Sequence, residues 1–230
     1  MTNLKTHFEL RYTPILDFNN VYKPIVSPFL KLGQFSIESA GSFEERIGLI
    51  FKNEKYQLDI RWDRMIFIAE GPRQDLKKTQ GPLFMFFDIL SKIRDSPSFG
   101  TINNCLLSEI NLKEVKGDNF NEIKENFKNK YLSSTATFNL PGFEEDVAVT
   151  LQFADQTGKT FKLSYGPFYP EKNYADMKLV PITNTPPPGY KELNGLLLDC
   201  LYFETTSDVN MEVFKRMNNF ISSNTERISL

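Results

Sequence analysis

The spacing of apolar residues divides the chain into short alternating runs and longer stripes. Phe8, Leu10 and Tyr12 alternate with His7, Glu9 and Arg11, the period-two pattern of a strand with one buried face. Pro14 ends it. Between Asp17 and Leu32, the residues Val21, Ile25, Phe29 and Leu32 fall at helical spacing. Pro24 and Pro28 lie among them, and each removes an amide donor and crowds the preceding turn. Short helical turns are expected there, in place of one straight helix. Phe35 and Ile37 mark a short strand. Ile47, Leu49 and Phe51, then Tyr56, Leu58, Ile60 and Trp62, alternate with intervening residues on either side of Asn53-Glu54, and Met65 to Ala69 returns after Asp63-Arg64. This is an antiparallel meander with an apolar and a polar face. After Gly81-Pro82, a favourable helix start, Leu83, Phe86, Phe87, Leu90 and Ile93 share one helical face. Ile102 to Val115 predicts a long strand, with Leu106, Ser108, Ile110 and Leu112 on alternate positions and Glu109 on its outward face.

The second half repeats this vocabulary. Asp118 is placed to cap a helix whose stripe is Phe120, Ile123, Phe127 and Tyr131. Thr135 to Phe138 predicts a strand ended by Pro141-Gly142. Val147, Val149, Leu151 and Phe153 alternate strictly, turn over 155–158, and return as Phe161, Leu163 and Tyr165. Met177 to Ile182 reads as a short strand. Pro186, Pro187 and Pro188 then hold a stiff extended loop. From Asn194 a strand, Leu196 to Phe203, feeds a final amphipathic helix. Its predicted start is Ser207 or Asp208, and its stripe is Val213, Phe214, Met217, Phe220, Ile221 and Ile228.

Composition changes this picture little. The chain has 230 residues, 40% of them hydrophobic, with 21 Phe, enough to pack a sizeable core. Twenty-seven basic against 29 acidic residues give a net charge of −2, which predicts neither polyanion binding nor strong attraction to a membrane surface. Cys105 and Cys200 both sit in apolar runs and read as buried thiols. The opening residues lack the apolar stretch of a signal peptide, and no run has the length of a membrane span. The chain therefore reads as cytoplasmic.

The available chemistry is sparse. His7 is the single histidine, on the polar side of a strand, so multi-histidine metal sites and histidine-based triads have no second member. Cys-x-x-Cys pairs, phosphate loops, dinucleotide fingerprints and nucleophile elbows are all missing. No catalytic residue, metal site or cofactor is assigned, although carboxylate-only catalysis leaves no local motif. Asp199 is the unusual acid. It interrupts Leu196-Leu197-Leu198 and Cys200-Leu201, where an isolated buried carboxylate is costly. Two readings stand: it faces the polar side of its strand, or it makes a buried ion pair with an arginine such as Arg61 or Arg46. Trp62, Tyr56 and Arg61, carried on one hairpin, are the candidates for stacking and charge toward a nucleic acid. Phe84, Phe86 and Phe87 are the candidates for lining an apolar cavity.

Three short stretches carry a resemblance. The opening Phe8-Glu9-Leu10-Arg11-Tyr12, the strand Ile102 to Leu112, and the close Leu197-Leu198-Asp199-Cys200-Leu201-Tyr202 followed by a helix resemble a sporadically distributed bacterial family of uncharacterised proteins. Cys200 and Leu201 stand where that family alternates differently. The resemblance brings no reaction with it, and its patchy distribution suits accessory or defence-related genes.

The fold expected is α+β: two related lobes of antiparallel sheet covered by helices, residues 1–116 and 117–230, whose repeat need not be visible in sequence. The function expected first is a non-enzymatic interaction protein, binding a protein partner or itself. A small apolar ligand-binding module and a two-lobed nucleic-acid binder are the alternatives.

Overall fold

In the computed structural model, residues 1–32, 34–39, 45–51, 55–71, 81–115, 119–132, 147–170, 173 and 193–228 are described, without the side chains of residues 37–39 and 45. In chain order the elements are β1 (Thr2–Tyr12), α1 (Phe18–Val26), β2 (Gln34–Ser39), β3 (Glu45–Phe51), β4 (Tyr56–Arg61), β5 (Arg64–Glu70), α2 (Pro82–Arg94), β6 (Ile102–Glu114), α3 (Phe120–Tyr131), β7 (Val149–Ala154), β8 (Lys159–Pro167), β9 (Gly195–Thr205) and α4 (Met211–Thr225). The fold is α+β. Among the described residues, nine strands form one antiparallel sheet in the order β2-β3-β4-β5-β1-β6-β9-β8-β7. The sheet is continuous across both halves of the chain, because β1 pairs with β6 from Thr2↔Leu112 to Tyr12↔Ile102.

Among the described residues, the four helices bury their apolar residues in one cluster on one side of the sheet. Its strand contribution includes the alternate set Phe8, Leu10 and Tyr12 of β1, Ile47, Leu49 and Phe51 of β3, Leu58 and Ile60 of β4, Met65 and Phe67 of β5, Cys105 and Leu107 of β6, Leu163 of β8, and Leu198, Cys200 and Tyr202 of β9. Aromatic rings fill the centre. Phe8 meets Phe86 edge-on at 5.6 Å and Phe214 at 5.2 Å, and so ties α2 and α4 to the middle of the sheet. A smaller cluster of Ile110, Leu112, Leu197 and Phe168, with Leu4 and Leu193 against it, lies on the other side. Leu4 reaches that side through a register shift between Asn3 and Lys5. Where β9 begins, an added Cβ on Gly195 would stand 2.2 Å from the Lys113 carbonyl oxygen, so the close approach to β6 needs glycine.

The helices depart from expectation in ways that have local causes. The proline-bearing stretch after Asp17 does break: α1 carries Pro24 and gives way to a single 3₁₀ turn at Ser27–Phe29. The cap of α3 is Asn119, which forms a capping box with Glu122. α4 starts at Met211, because Asn210 accepts hydrogen bonds from the amides of Glu212 and Val213. Ser207 and Asp208 lie upstream, and Asp208 instead donates its amide to the Thr206 hydroxyl. Phe220 is substantially exposed, its ring edge-on to Phe161 and Tyr202, and Ile228 lies beyond the helix end. The strands expected at 135–138 and 177–182 and the loop of prolines lie outside the described residues. Among the described residues, no helix is long and apolar enough to cross a membrane.

Phe8 is fully buried at the junction of β1, α2 and α4, whereas Phe84 on α2 is 55% exposed. Phe8→Ala is expected to cost about 3–5 kcal/mol of unfolding free energy, and Phe84→Ala to stay within about 0.5 kcal/mol. Urea denaturation of the two variants checks the contrast.

Candidate functional site

The side of the sheet away from the helices carries most of the charged groups on its strands, and strand register arranges them in rows. One row runs Gly48, Asp59, Ile66, Glu9, Leu106, Phe203, Thr160 across seven strands. The next runs Ile50, Gln57, Ile68, His7, Ser108, Leu201, Lys162, Gln152. On the other side of the first row stand four arginines. Arg46 is opposite Arg61, Arg64 is opposite Arg11, and Arg61 and Arg64 flank the two-residue turn Trp62-Asp63. That turn is held from below: the Tyr12 hydroxyl donates to the carbonyls of Arg61 and Arg64, and the Ile15 amide donates to the Trp62 carbonyl at 2.8 Å.

Two carboxylates organise this face. Glu9 lies 2.7 Å from Arg11 Nε, 3.4 Å from His7 Nε2 and 3.6 Å from Arg64 Nη1. The approach of the His7 imidazole, followed by the hydrogen bond from Arg11, holds the Glu9 carboxyl down to about 2 against the opposing effect of burial. Asp59, only 5% exposed, accepts from Gln57 Nε2 at 3.0 Å and stands 3.4 Å from Arg46 Nε and 3.5 Å from Arg61 Nη2. Gly48 stands opposite it, and an added Cβ there would crowd Ser36 Oγ at 2.9 Å before it met Asp59 Oδ1 at 3.4 Å. Arg64 grips Asp63 with Nε at 3.0 Å and Nη2 at 2.8 Å.

The residues singled out from sequence separate. Arg61 belongs to this face. Trp62 packs against the helix-side core, and Tyr56 stacks on Phe51 within that core. Alternation therefore puts the two rings away from Arg61, and the hairpin does not present them together. Asp199 is on β9, four strands from Arg61, between Ile110 and Ser164. The arginines proposed to pair with it, Arg46 and Arg61, flank Asp59 instead, so that pairing is overturned. Asp199 is half-buried on the polar side of its strand, and burial raises its carboxyl above the usual range, with Lys162 opposing. Phe86 is consumed by packing against Phe8, Phe67 and Phe87, and Phe84 faces outward. Those three rings therefore do not converge on one space.

Glu109 is the residue that strand alternation misplaced. It turns inward under α4, fully buried, and accepts from Asn218 Nδ2 at 2.5 Å. Nearby on the same covered side, Thr6 donates to Asn3, and Asn3 donates to Asn111 at 3.0 Å. This polar network pins α4 and β1 to β6. Asn218, on the buried side of the final helix, was its legible sign. Cys105 and Cys200 are buried free thiols, and burial pushes the Cys105 thiol up to about 12. Among the described residues, no group of three or more His, Cys, Asp or Glu side chains could hold a metal ion. No protein-family model matches the chain, and no curated protein matches its sequence.

Two carboxylates on the open face titrate in opposite senses. Glu9, depressed in the folded state, contributes stability above the ordinary glutamate value that is lost as pH falls through about 2. Glu9→Gln is therefore expected to be less stable than the parent at pH 7, with the gap closing between about pH 4.5 and 2 in pH-dependent urea melts. Asp199, raised in the folded state, contributes stability below its unfolded value and loses it as pH rises through its folded value. Asp199→Asn is expected to be more stable than the parent at pH 8 and to lose that advantage on acidification. Equal stabilities at every pH would contradict the placement of Asp199.

Proposed function

We propose that the protein is a non-enzymatic interaction protein that docks a protein partner on the open face of its sheet. The observation that carries this reading is the mixed character of that face. Half-buried Leu106, Leu201 and Phe203 lie in rows beside Glu9, Arg11 and Arg64, on the side where, among the described residues, none of the four helices α1 to α4 buries its apolar residues. Apolar and aromatic residues ringed by arginine are the composition of protein interfaces. The alternation of acids with the arginines disfavours a polyphosphate chain, which needs an unbroken positive field. An enzymatic reading lacks a second histidine, a placed nucleophile and a metal-binding group among the described residues.

The two halves also read as structural repeats. Outward from the central pair, β1-β5-β4-β3 in one direction matches β6-β9-β8-β7 in the other, and α2 and α4 each close a half. On this reading the halves divide between α2 and β6, and the open face is built by both, from β1 to β5 in one half and β6 to β9 in the other. A bacterial accessory or defence-related role accords with the family resemblance of the opening and closing segments.

The test is a paired charge insertion. The double variant Leu201→Glu/Phe203→Glu is expected to lose a partner that co-purifies with the parent chain from its native cell extract, while Phe84→Glu on the helical side retains it. Retention by the first variant with loss by the second would place docking on the helices.

A further inference from the structure

We propose that two copies of the chain join through β7, the two strands pairing antiparallel about a two-fold axis at Gln152, so that one sheet runs through both copies. The inference goes beyond the docking of a partner on the open face and uses a different surface, the end of the sheet where β7 stands.

The sequence of β7 carries none of the residues that blunt a sheet edge. Exposed edge strands are ordinarily protected by a charge, a proline or a bulge. The residues from Val149 to Ala154 include no charge and no proline, and their register with β8 runs without a shift. Among the described residues, β7 pairs with β8 and with no other strand. Thr150 to Ala154 are exposed on both sides of the strand, whereas His7, Leu106 and Leu201, which face the open side from interior strands, are half-buried. On the helix side, Leu151 and Phe153 are 40% and 57% exposed. The Phe153 ring stacks on Phe161 at 6.4 Å, and Phe161 meets Phe220, itself 41% exposed, edge-on at 5.1 Å. The patch is the outer end of an aromatic cluster rooted in the core.

Hydrogen bonding selects a second copy and sets its register. The Asp155 amide donates to the Lys159 carbonyl at 2.9 Å, so Asp155 and, by alternation, Val149, Leu151 and Phe153 direct their backbone groups toward β8. Thr150 and Ser164 then form a pair without ladder bonds, where side chains approach most closely, and their hydroxyls meet at 2.8 Å. The amides and carbonyls of Thr150, Gln152 and Ala154 point away from β8. Setting Gln152 opposite Gln152 of the second copy, and Thr150 opposite its Ala154, satisfies all of these groups together. A shift by two residues in either direction leaves one residue of each copy unbonded. The same register sets Leu151 against Phe153 of the second copy on the helix side, in the close approach of a pair without ladder bonds. Charge does not oppose it. Lys162 stands beside Gln152, so the two copies of Lys162 are three strand spacings or about 14 Å apart, beyond a Debye length of about 8 Å at physiological salt. The contact is smaller than the roughly 1,600 Å² of a standard interface, so the dimer is reversible, with Kd on the order of 10 µM.

Sedimentation equilibrium of the full chain, from about 1 to 200 µM, is expected to show a monomer passing to a dimer. Gln152→Pro removes an amide that β8 does not use, and Gln152→Lys sets like charges opposite each other on the axis. Each is expected to weaken association at least about tenfold, while Leu201→Glu/Phe203→Glu on the open face leaves it unchanged. Circular dichroism melts check folding, and if Gln152→Pro melts early, Gln152→Lys at the same exposed position decides. Cross-linking under mild oxidation reads the register. Gln152→Cys is expected to give a disulfide-linked dimer, because facing residues of a hydrogen-bonded pair lie about 5.5 Å apart, within disulfide reach. Thr150→Cys, more than about 13 Å from its equivalent in the second copy, is expected to give none. A monomer at every concentration, a dimer indifferent to both Gln152 variants, or cross-linking of Thr150→Cys as efficient as that of Gln152→Cys each overturns the proposal. A monomeric chain that loses a co-purifying protein on Gln152→Lys overturns it as well, and assigns the edge to an extended segment of that protein.

Discussion

The antiparallel pairing of β1 with β6 is the contact on which the molecule depends. It joins β5, β4, β3 and β2 on one flank to β9, β8 and β7 on the other, and it does so with two strands whose faces differ. Toward the helices, Phe8, Leu10, Cys105 and Leu107 enter the core. Away from them, His7, Glu9 and Arg11 stand beside Leu106 and Ser108. A shift of one residue in this register would exchange the two sets and expose the core face. The register therefore fixes both the packing of α2 and α4 and the composition of the open face.

Each side of the sheet handles its polar groups differently. On the covered side Glu109 and Asn218 are buried together, so helix position and hydrogen-bond satisfaction are coupled. Losing either side chain there would remove a hydrogen bond from a low-dielectric interior. On the open side, ion pairs are partly solvated, and each contributes less to stability. Rows of side chains with fixed strand spacing present a rigid pattern of charge and apolar surface, and the proposed docking reading rests on that pattern. The stiffness comes from the sheet and from the Tyr12 hydroxyl under the β4–β5 turn.

Much of the fold was legible because the strands that build it alternate cleanly. Tyr56-Leu58-Ile60 and Phe161-Leu163-Tyr165 each place one apolar set on one side, and both hairpins formed as the pattern predicts. β6 was harder, since both of its faces carry leucine: Leu106 and Leu112 on one, Leu107 on the other. Alternation alone could not say which face the helices cover, and Glu109 was assigned outward for that reason. Caps failed at two positions where good candidates lie close together: Asn119 caps α3 in place of Asp118, and Asn210 caps α4 in place of Ser207 or Asp208. The arginine row was invisible in sequence for a more general reason. Its members are far apart in the chain and become neighbours only through the register of four strands. Asp59, the carboxylate that gathers two of them, sits in an ordinary polar position of a hairpin.

The central claim is that the open face is the working surface and that the helical side is structural. Arginine-selective labelling with phenylglyoxal, read by mass spectrometry on the free chain and on the chain bound to its native partner, tests it most directly. The account predicts that binding protects Arg11, Arg46, Arg61 and Arg64 while Arg94 and Arg216, on the helices, react as in the free protein. Unchanged reactivity across the row with protection of Arg94 or Arg216 would contradict it.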